Sequence, residues 1–135
     1  MLSSVAAAET VPEITSQLQK LRSISAEVLG LLDRYFCLEH EMKNMAVPIL
    51  PSWTCRSEAL KARLKKMDAL IEEHEDRSRR IDTRNDTEAR STDETLFRSS
   101  RILTTAARSE MATVGSVLNA MQERVDSSHG VLMKP

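Results

Sequence analysis

Apolar side chains recur at alternating intervals of three and four residues through the first part of this chain. Nine of ten successive heptad positions are apolar, and the remaining one is Gln17. Such a stripe is typical of a helix that packs one face along other helices. The apolar positions of this first stripe are Ile14, Leu21, Ile24, Val28, Leu31, Tyr35, Leu38, Met42 and Met45. The stripe predicts one long amphipathic helix.

The composition favours helices over sheets. The 135 residues include only three glycines and four prolines, which are too few turn residues for a protein with many hairpins. Aromatic residues make up 3% of the chain, so many Leu, Met, Ala and Ile side chains must supply the buried surface. We therefore predict an all-α protein whose long amphipathic helices form a helical hairpin or bundle with coiled-coil packing.

Prolines and capping motifs divide the first part of the chain. We expect a flexible N-terminus over residues 1–9, because this stretch is small and polar without periodicity. A long helix should follow over 10–46, starting at the capping box Thr10–Glu13. Two prolines then predict a turn over 47–52, because proline lacks the amide hydrogen that a continuing helix needs.

The remaining boundaries follow from the same signals. We expect a second helix over 53–81 and a charged linker or exposed helix over 82–91. A third amphipathic helix should cover 92–129, and residues 130–135 should form a tail, since Gly130 is a natural helix stop.

The second and third helices carry stripes of their own. The third stripe is diluted by small and polar residues, so its helix should depend most on a partner. We predict that the apolar positions of all three stripes form an interface with partner helices. Those of the second and third stripes are Leu60, Leu64, Met67 and Ile71, followed by Met111, Val114, Leu118, Met121 and Val125.

Charge and targeting signals restrict the function classes. Nineteen basic and twenty acidic residues are interspersed and give a net charge of −1, which argues against nucleic-acid binding. The N-terminus lacks the features of a signal peptide, and no apolar run approaches the roughly 20 residues that cross a bilayer. We therefore expect a cytoplasmic protein without a direct membrane span.

No catalytic pattern is present in the sequence. His40-Glu41 begins like the motif of zinc metalloproteases, but Asn44 stands where the second histidine would be needed. Glycine-rich phosphate loops, nucleophile elbows and paired carboxylates in turns are also absent. We predict a protein that is not an enzyme and has no catalytic residues, no cofactor, no metal site and no small-molecule substrate.

Some polar residues leave alternatives open. Cys37, His40, Cys55 and His74 could together supply zinc ligands if the first two helices fold antiparallel, although structural zinc sites usually draw on close pairs. His74 lies on the second stripe among acidic residues, which makes a pH-sensitive association conceivable. Gln17 can specify the register or the partner of the first stripe, at a cost in stability.

Part of the third helix resembles a known family. The segments Thr95-Leu-Phe-Arg-Ser-Ser-Arg-Ile-Leu103, Ala120-Met-Gln-Glu-Arg-Val-Asp-Ser-Ser128 and Val131-Leu132 resemble the helical segment of Qb-type SNARE proteins, most closely the ER-resident retrograde-transport members. The resemblance covers residues 94–133. It implies pairing with three other SNARE helices and membrane fusion, with the upstream helices as a regulatory or tether-binding region.

The sequence as a whole predicts a non-enzymatic coiled-coil subunit or scaffold of a heteromeric complex in vesicle trafficking or tethering. Its partners should be other helical proteins in a hetero-oligomer. One alternative is a SNARE-like fusion protein that lacks its anchor. Others are a self-sufficient three-helix adaptor and a small subunit of an organelle-biogenesis, kinetochore or cytoskeletal motor complex. The expected location is accordingly peripheral to an organelle or within a cytoskeletal or kinetochore assembly.

Overall fold

A computed structural model of the chain describes the backbone of residues 2–79 and 86–133. Side chains are described for residues 14–76 and 93–130. Over these ranges the chain is helical apart from one short turn and contains no strand.

Three helices make up the described part of the chain. They are α1 over Leu2–Asn44, α2 over Pro51–Arg79 and α3 over Asp86–Met133. Each helix packs against both of the others. The prediction of an all-α helical bundle is therefore confirmed.

Side-chain contacts give the relative directions of the helices. Arg22 contacts Glu75, whereas Tyr35, farther along α1, contacts Thr54 near the start of α2. Residue numbers thus increase along α1 as they decrease along α2, so these two helices are antiparallel. Gln17 contacts Thr104 and Glu41 contacts His129, which makes α1 and α3 parallel.

The helix ends differ from the sequence prediction. α1 already begins at Leu2, so residues 2–9, expected to be flexible, are helical and Thr10 does not start the helix. Three consecutive alanines in this stretch explain the extension, because alanine has the highest helix propensity. Gly130 does not stop α3, which continues to Met133. A glycine stops a helix by adopting positive φ, and no described glycine does so.

The predicted linker is partly helical. Residues 86–91 belong to α3, so the third helix begins before the expected residue 92. Residues 82–85 and the last two residues of the predicted second helix lie outside the described backbone. The structure does not describe the side chains of residues 10–13, which the sequence predicted to form a capping box.

α1 ends in a Schellman motif. The Val47 amide donates to the Met42 carbonyl at 2.8 Å, and the Ala46 amide donates to the Lys43 carbonyl at 3.2 Å. The motif needs a residue with left-handed backbone conformation just before the donor of the longer-range bond, here Val47. That residue is Ala46, whose φ is 57°. Glycine is the usual residue at this position, because its lack of a Cβ removes the steric penalty of positive φ.

α2 begins at the second proline of the turn. Pro51 occupies the first helical position, where a missing amide hydrogen costs no intrahelical bond and the fixed φ already suits a helix. The Trp53 amide donates to the Leu50 carbonyl at 3.0 Å, which closes the first turn. Trp53 itself is buried, and the Arg124 guanidinium of α3 lies 5.3 Å from its ring centre.

The stripes of the three helices meet in one continuous core. Leu21, Met42, Leu60, Met67 and Met121 are each completely inaccessible to solvent. Fully burying a side chain of this size contributes about 1.5 to 3 kcal/mol relative to leaving it exposed. Packing between the helices is therefore what stabilises each of them.

Polar contacts between helices accompany this core. Gln17 donates from Nε2 to Thr104 Oγ1 at 3.2 Å, which links the polar position of the first stripe to α3. Ser25 Oγ donates to the Asp68 carboxylate at 2.8 Å between α1 and α2. These directional bonds favour one alignment of the helices, since buried polar groups need specific partners.

Replacing Ala46 with glycine should stabilise the protein. Relief of the left-handed strain outweighs the added flexibility of the unfolded chain, and we expect a gain of about 0.5 to 1 kcal/mol in the free energy of unfolding. Chemical unfolding followed by circular dichroism measures the change. Ala59→Gly, at an exposed position inside α2, is the control and should instead lose about 1 kcal/mol. Destabilisation by both variants would contradict the left-handed conformation.

Leu21 and Leu29 both lie on α1, but Leu21 is buried and Leu29 is exposed, so the same substitution at the two positions tests which side of α1 faces the core. Leu21→Ala should reduce the free energy of unfolding by about 2 to 5 kcal/mol, because it leaves a cavity in the core. Leu29→Ala, at an exposed position, should change it by at most about 0.5 kcal/mol. Urea titrations of the two variants provide the comparison. Equal effects would show that α1 does not pack in this orientation.

Candidate functional site

The residues predicted as a partner interface lie inside the bundle. Five are partly buried and packed against the core, namely Leu31, Met45, Leu64, Ile71 and Met111. The other thirteen are buried: Ile14, Leu21, Ile24, Val28, Tyr35, Leu38, Met42, Leu60, Met67, Val114, Leu118, Met121 and Val125. Helices of the same chain cover these side chains, because the three stripes face one another. A partner surface must therefore be sought among other residues.

A few large apolar side chains remain exposed in the described part of the chain. The exposed fraction is 52% for Leu29, 49% for Phe36, 37% for Leu50 and 67% for Ile102. Leu29 and Phe36 lie seven residues apart on α1 and therefore on nearly the same side of the helix. Leu50 belongs to the turn that follows α1. Three of the four thus lie on the α1–α2 hairpin, and Ile102 lies on α3.

A groove of about 680 Å³ runs between α1 and α2 next to this turn. We call it the hairpin groove, lined by Tyr35, Phe36, Glu39, Lys43, Ile49, Pro51, Thr54, Cys55, Ser57, Glu58 and Lys61. Two structural features shape it. The antiparallel packing of α1 and α2 forms its walls, and the proline-containing turn closes one end.

The floor of the hairpin groove is apolar and held in place. The buried Tyr35 ring makes an edge-to-face contact with Phe36, with ring centres 5.9 Å apart and planes inclined by 75°. The Tyr35 hydroxyl and Thr54 Oγ1 share a hydrogen bond of 3.2 Å across the two helices. The hydrogen bond to Thr54 restrains the Tyr35 ring, and Tyr35 in turn supports the half-exposed ring of Phe36.

The rim of the hairpin groove carries charges of both signs. Lys43 donates to Glu39 at 3.3 Å on α1, and Glu58 and Lys61 line the α2 side. An apolar centre with a charged rim is the usual anatomy of a protein–protein interface.

The geometry gives no support to the zinc-site alternative. The described side chains include no group of three or more His, Cys, Asp or Glu residues arranged to hold a metal ion. Cys37 and Cys55 are both exposed free thiols. Glu41, from the incomplete metalloprotease motif, instead lies 3.7 Å from His129 on α3.

The segment that resembles SNARE helices belongs to α3. Its residues Leu96 and Val125 are buried in the bundle, in which α3 packs against α1 and α2, whereas Ile102 in the same segment is exposed. Gln122 donates to Asp126 at 3.0 Å on the exposed part of the helix. Within the described residues, no helix has the length and apolar character that crossing a membrane requires.

The sequence prediction missed the hairpin groove because it followed only the stripes. Phe36 and Leu29 lie beside the first stripe and repeat at the same interval of seven residues. An apolar pair at this spacing, off the main stripe, was the available signal for a second contact face. Leu50 and Ile49 sit between two prolines and carry no periodicity that would have identified them.

Searches of the chain against protein-family models, curated proteins and solved structures find no match.

Both thiols should react in the folded protein. Cys37 and Cys55 are exposed, so Ellman's reagent should titrate two thiols per chain without denaturant. The Cys37→Ser and Cys55→Ser variants assign each reaction to its residue. A thiol that reacts only after unfolding would contradict the exposure of that side of the hairpin.

Proposed function

We propose that this protein is a non-enzymatic helical subunit of a heteromeric complex, and that it binds an amphipathic helix of another protein in the hairpin groove. The observation that carries the proposal is that the exposed Phe36 lines the hairpin groove, with the exposed Leu29 two turns away on nearly the same side of α1, while the predicted stripes are covered within the bundle. Exposed apolar residues that cluster on one face mark interaction sites more often than residues scattered singly.

The energetics favour a bound helix over a bare groove. Covering Phe36 or Leu29 contributes about 1.5 to 3 kcal/mol each, before the cost of ordering the partner. A helix lying along α1 and α2 reaches both residues, because their separation of seven residues is roughly 10 Å along the axis. The assembly would then contain four helices, and the fourth would cover the exposed Leu29 and Phe36 of α1.

The rim defines the chemistry of the partner. Glu39 and Glu58 would face basic residues of the docked helix, and Lys43 and Lys61 would face acidic ones. A partner helix should therefore carry an apolar stripe flanked by charges of both signs. Such pairs contribute more to specificity and orientation than to affinity.

A role in vesicle trafficking or tethering is the finer part of the proposal. It is supported by the resemblance of residues 94–133 to the helices of Qb-type SNARE proteins. Direct participation in fusion is a weaker candidate, because α3 would have to leave the bundle and expose the core positions Val114, Leu118 and Met121. A subunit that keeps its fold and presents the hairpin groove needs no such opening.

The proposal is tested by crosslinking at the groove. A photoreactive amino acid at position 36 should crosslink to a helical segment of a partner in cells, and mass spectrometry identifies that segment. With the partner purified, Phe36→Ser should weaken binding roughly ten- to hundredfold, from the lost apolar burial. Ile102→Ser, which removes an exposed apolar residue from α3, should leave the affinity unchanged.

Thiol protection gives a second readout on the same complex. Cys55 lines the hairpin groove, so the bound partner should slow its modification while the folded chain alone reacts freely. Equal loss of binding in the Phe36 and Ile102 variants, or unchanged reactivity of Cys55 in the complex, would overturn the assignment of the groove.

A further inference from the structure

The outer side of α3 carries arginines around an exposed isoleucine. Arg98, Arg101, Ile102, Thr105 and Ala106 border one shallow depression of about 620 Å³. Ile102 is the most exposed of the large apolar side chains in the described part of the chain. Because the Ile102 side chain is largely exposed, it contributes little to the packing of the bundle core.

Positive charge dominates this part of α3. Residues 95–109 contain Arg98, Arg101 and Arg108 and no acidic residue. Arg108 follows Arg101 by seven residues and so lies on nearly the same side of the helix. Glu94 and Glu110 bracket the segment, and Glu110 is engaged by Arg63 of α2 at 3.0 Å.

The neighbouring part of α1 has the same character. Residues 14–26 contain no acidic residue. Because Gln17 contacts Thr104 and the two helices are parallel, Lys20 lies at about the level of Arg108. We call the surface formed by Lys20, Arg98, Arg101, Ile102 and Arg108 the basic ridge.

The cations of the basic ridge have few counterions. Lys20, Arg98 and Arg108 are exposed and form no ion pair with any side chain that the structure describes. Arg101 lies with its guanidinium carbon 5.8 Å from the centre of the Phe97 ring, a contact that leaves the charge uncompensated. This arrangement leaves the ridge open to an anionic partner.

Acidic residues gather on a different helix at the same end of the bundle. Residues 68–76 of α2 contain five acidic residues and no lysine or arginine. Arg22 of α1 pairs with Glu75 of this segment at 2.8 Å. The acidic segment thus lies on α2, whereas the arginines of the ridge lie on α3.

We infer that the basic ridge binds the surface of a membrane rich in anionic phospholipids. Each lysine or arginine near such a surface adds favourable electrostatic energy, and guanidinium groups bind phosphate oxygens well. Ile102, at the centre of the arginines, is placed to enter the boundary between headgroups and acyl chains.

The shape of the ridge favours a membrane over a protein helix. Its arginines and Ile102 lie on the outer side of α3, with only Lys20 on α1, and its depression is shallow, so a partner helix would find no groove to cover its apolar side. A bilayer surface adapts to a convex contact and needs no such groove. The acidic segment of α2 would be repelled by the same lipids, which orients α3 toward the membrane.

Vesicle cosedimentation of the full chain tests this inference. Vesicles of phosphatidylcholine with about one third phosphatidylserine should bind the protein, pure phosphatidylcholine vesicles should not, and added salt should release it. Arg98→Glu with Arg108→Glu should reduce binding at least about tenfold. Lys65→Glu with Lys66→Glu, exposed on α2 and equal in charge change, should retain it.

A substitution at Ile102 tests whether an apolar side chain, in addition to the charges, contributes to vesicle binding. Ile102→Ser should weaken vesicle binding several-fold, whereas Leu29→Ser, at an exposed position on α1, should not. Circular dichroism establishes that each variant keeps its helices. Equal binding by the two charge-reversal variants, or an effect of Leu29→Ser equal to that of Ile102→Ser, would overturn the inference. Binding to an acidic helical peptide without binding to anionic vesicles would also overturn it, in favour of a protein partner.

Discussion

Mutual burial of three apolar stripes is the interaction on which the rest of this structure depends. α3 shows this most clearly, because it is rich in serine and threonine, which favour helices only weakly in isolation. Several of its hydroxyls bond back to carbonyls of the same helix, as Thr104 does to Ser100 and Thr113 to Ser109. Contact with α1 and α2 through residues such as Leu118 and Met121 makes this long helix stable.

This internal packing changes where function must be sought. Side chains that a single helix would offer to partners are already covered, so partners meet only the residues between and outside the stripes. Two such surfaces stand out, and they differ in chemistry. The hairpin groove is apolar with a rim of mixed charge, whereas the basic ridge is cationic with Ile102 at its centre. The groove lies between α1 and α2, whereas the arginines of the ridge and Ile102 lie on α3.

Local patterns predicted the helices well but their ends poorly. The stripe from Ile14 to Met45 and the two prolines after it were sufficient to place a long helix followed by a turn. The start of α1 at Leu2 was not predicted, because the small and polar residues of this stretch show no periodicity, although three alanines among them favour a helix. Ala46 was missed because alanine rarely takes a left-handed conformation, and here the Schellman bonds and the contact of Val47 with the core impose it.

The sequence by itself determined that this protein is helical and which side of each helix is apolar, because both properties follow from spacing within a few turns. Only the tertiary structure decided that the stripes cover one another, since a stripe of Leu and Met packs equally well against its own chain or another. It also decided which charges become neighbours. Residues 14–26 and 95–109 are far apart in sequence, and the parallel packing of α1 and α3 joins them into one basic surface.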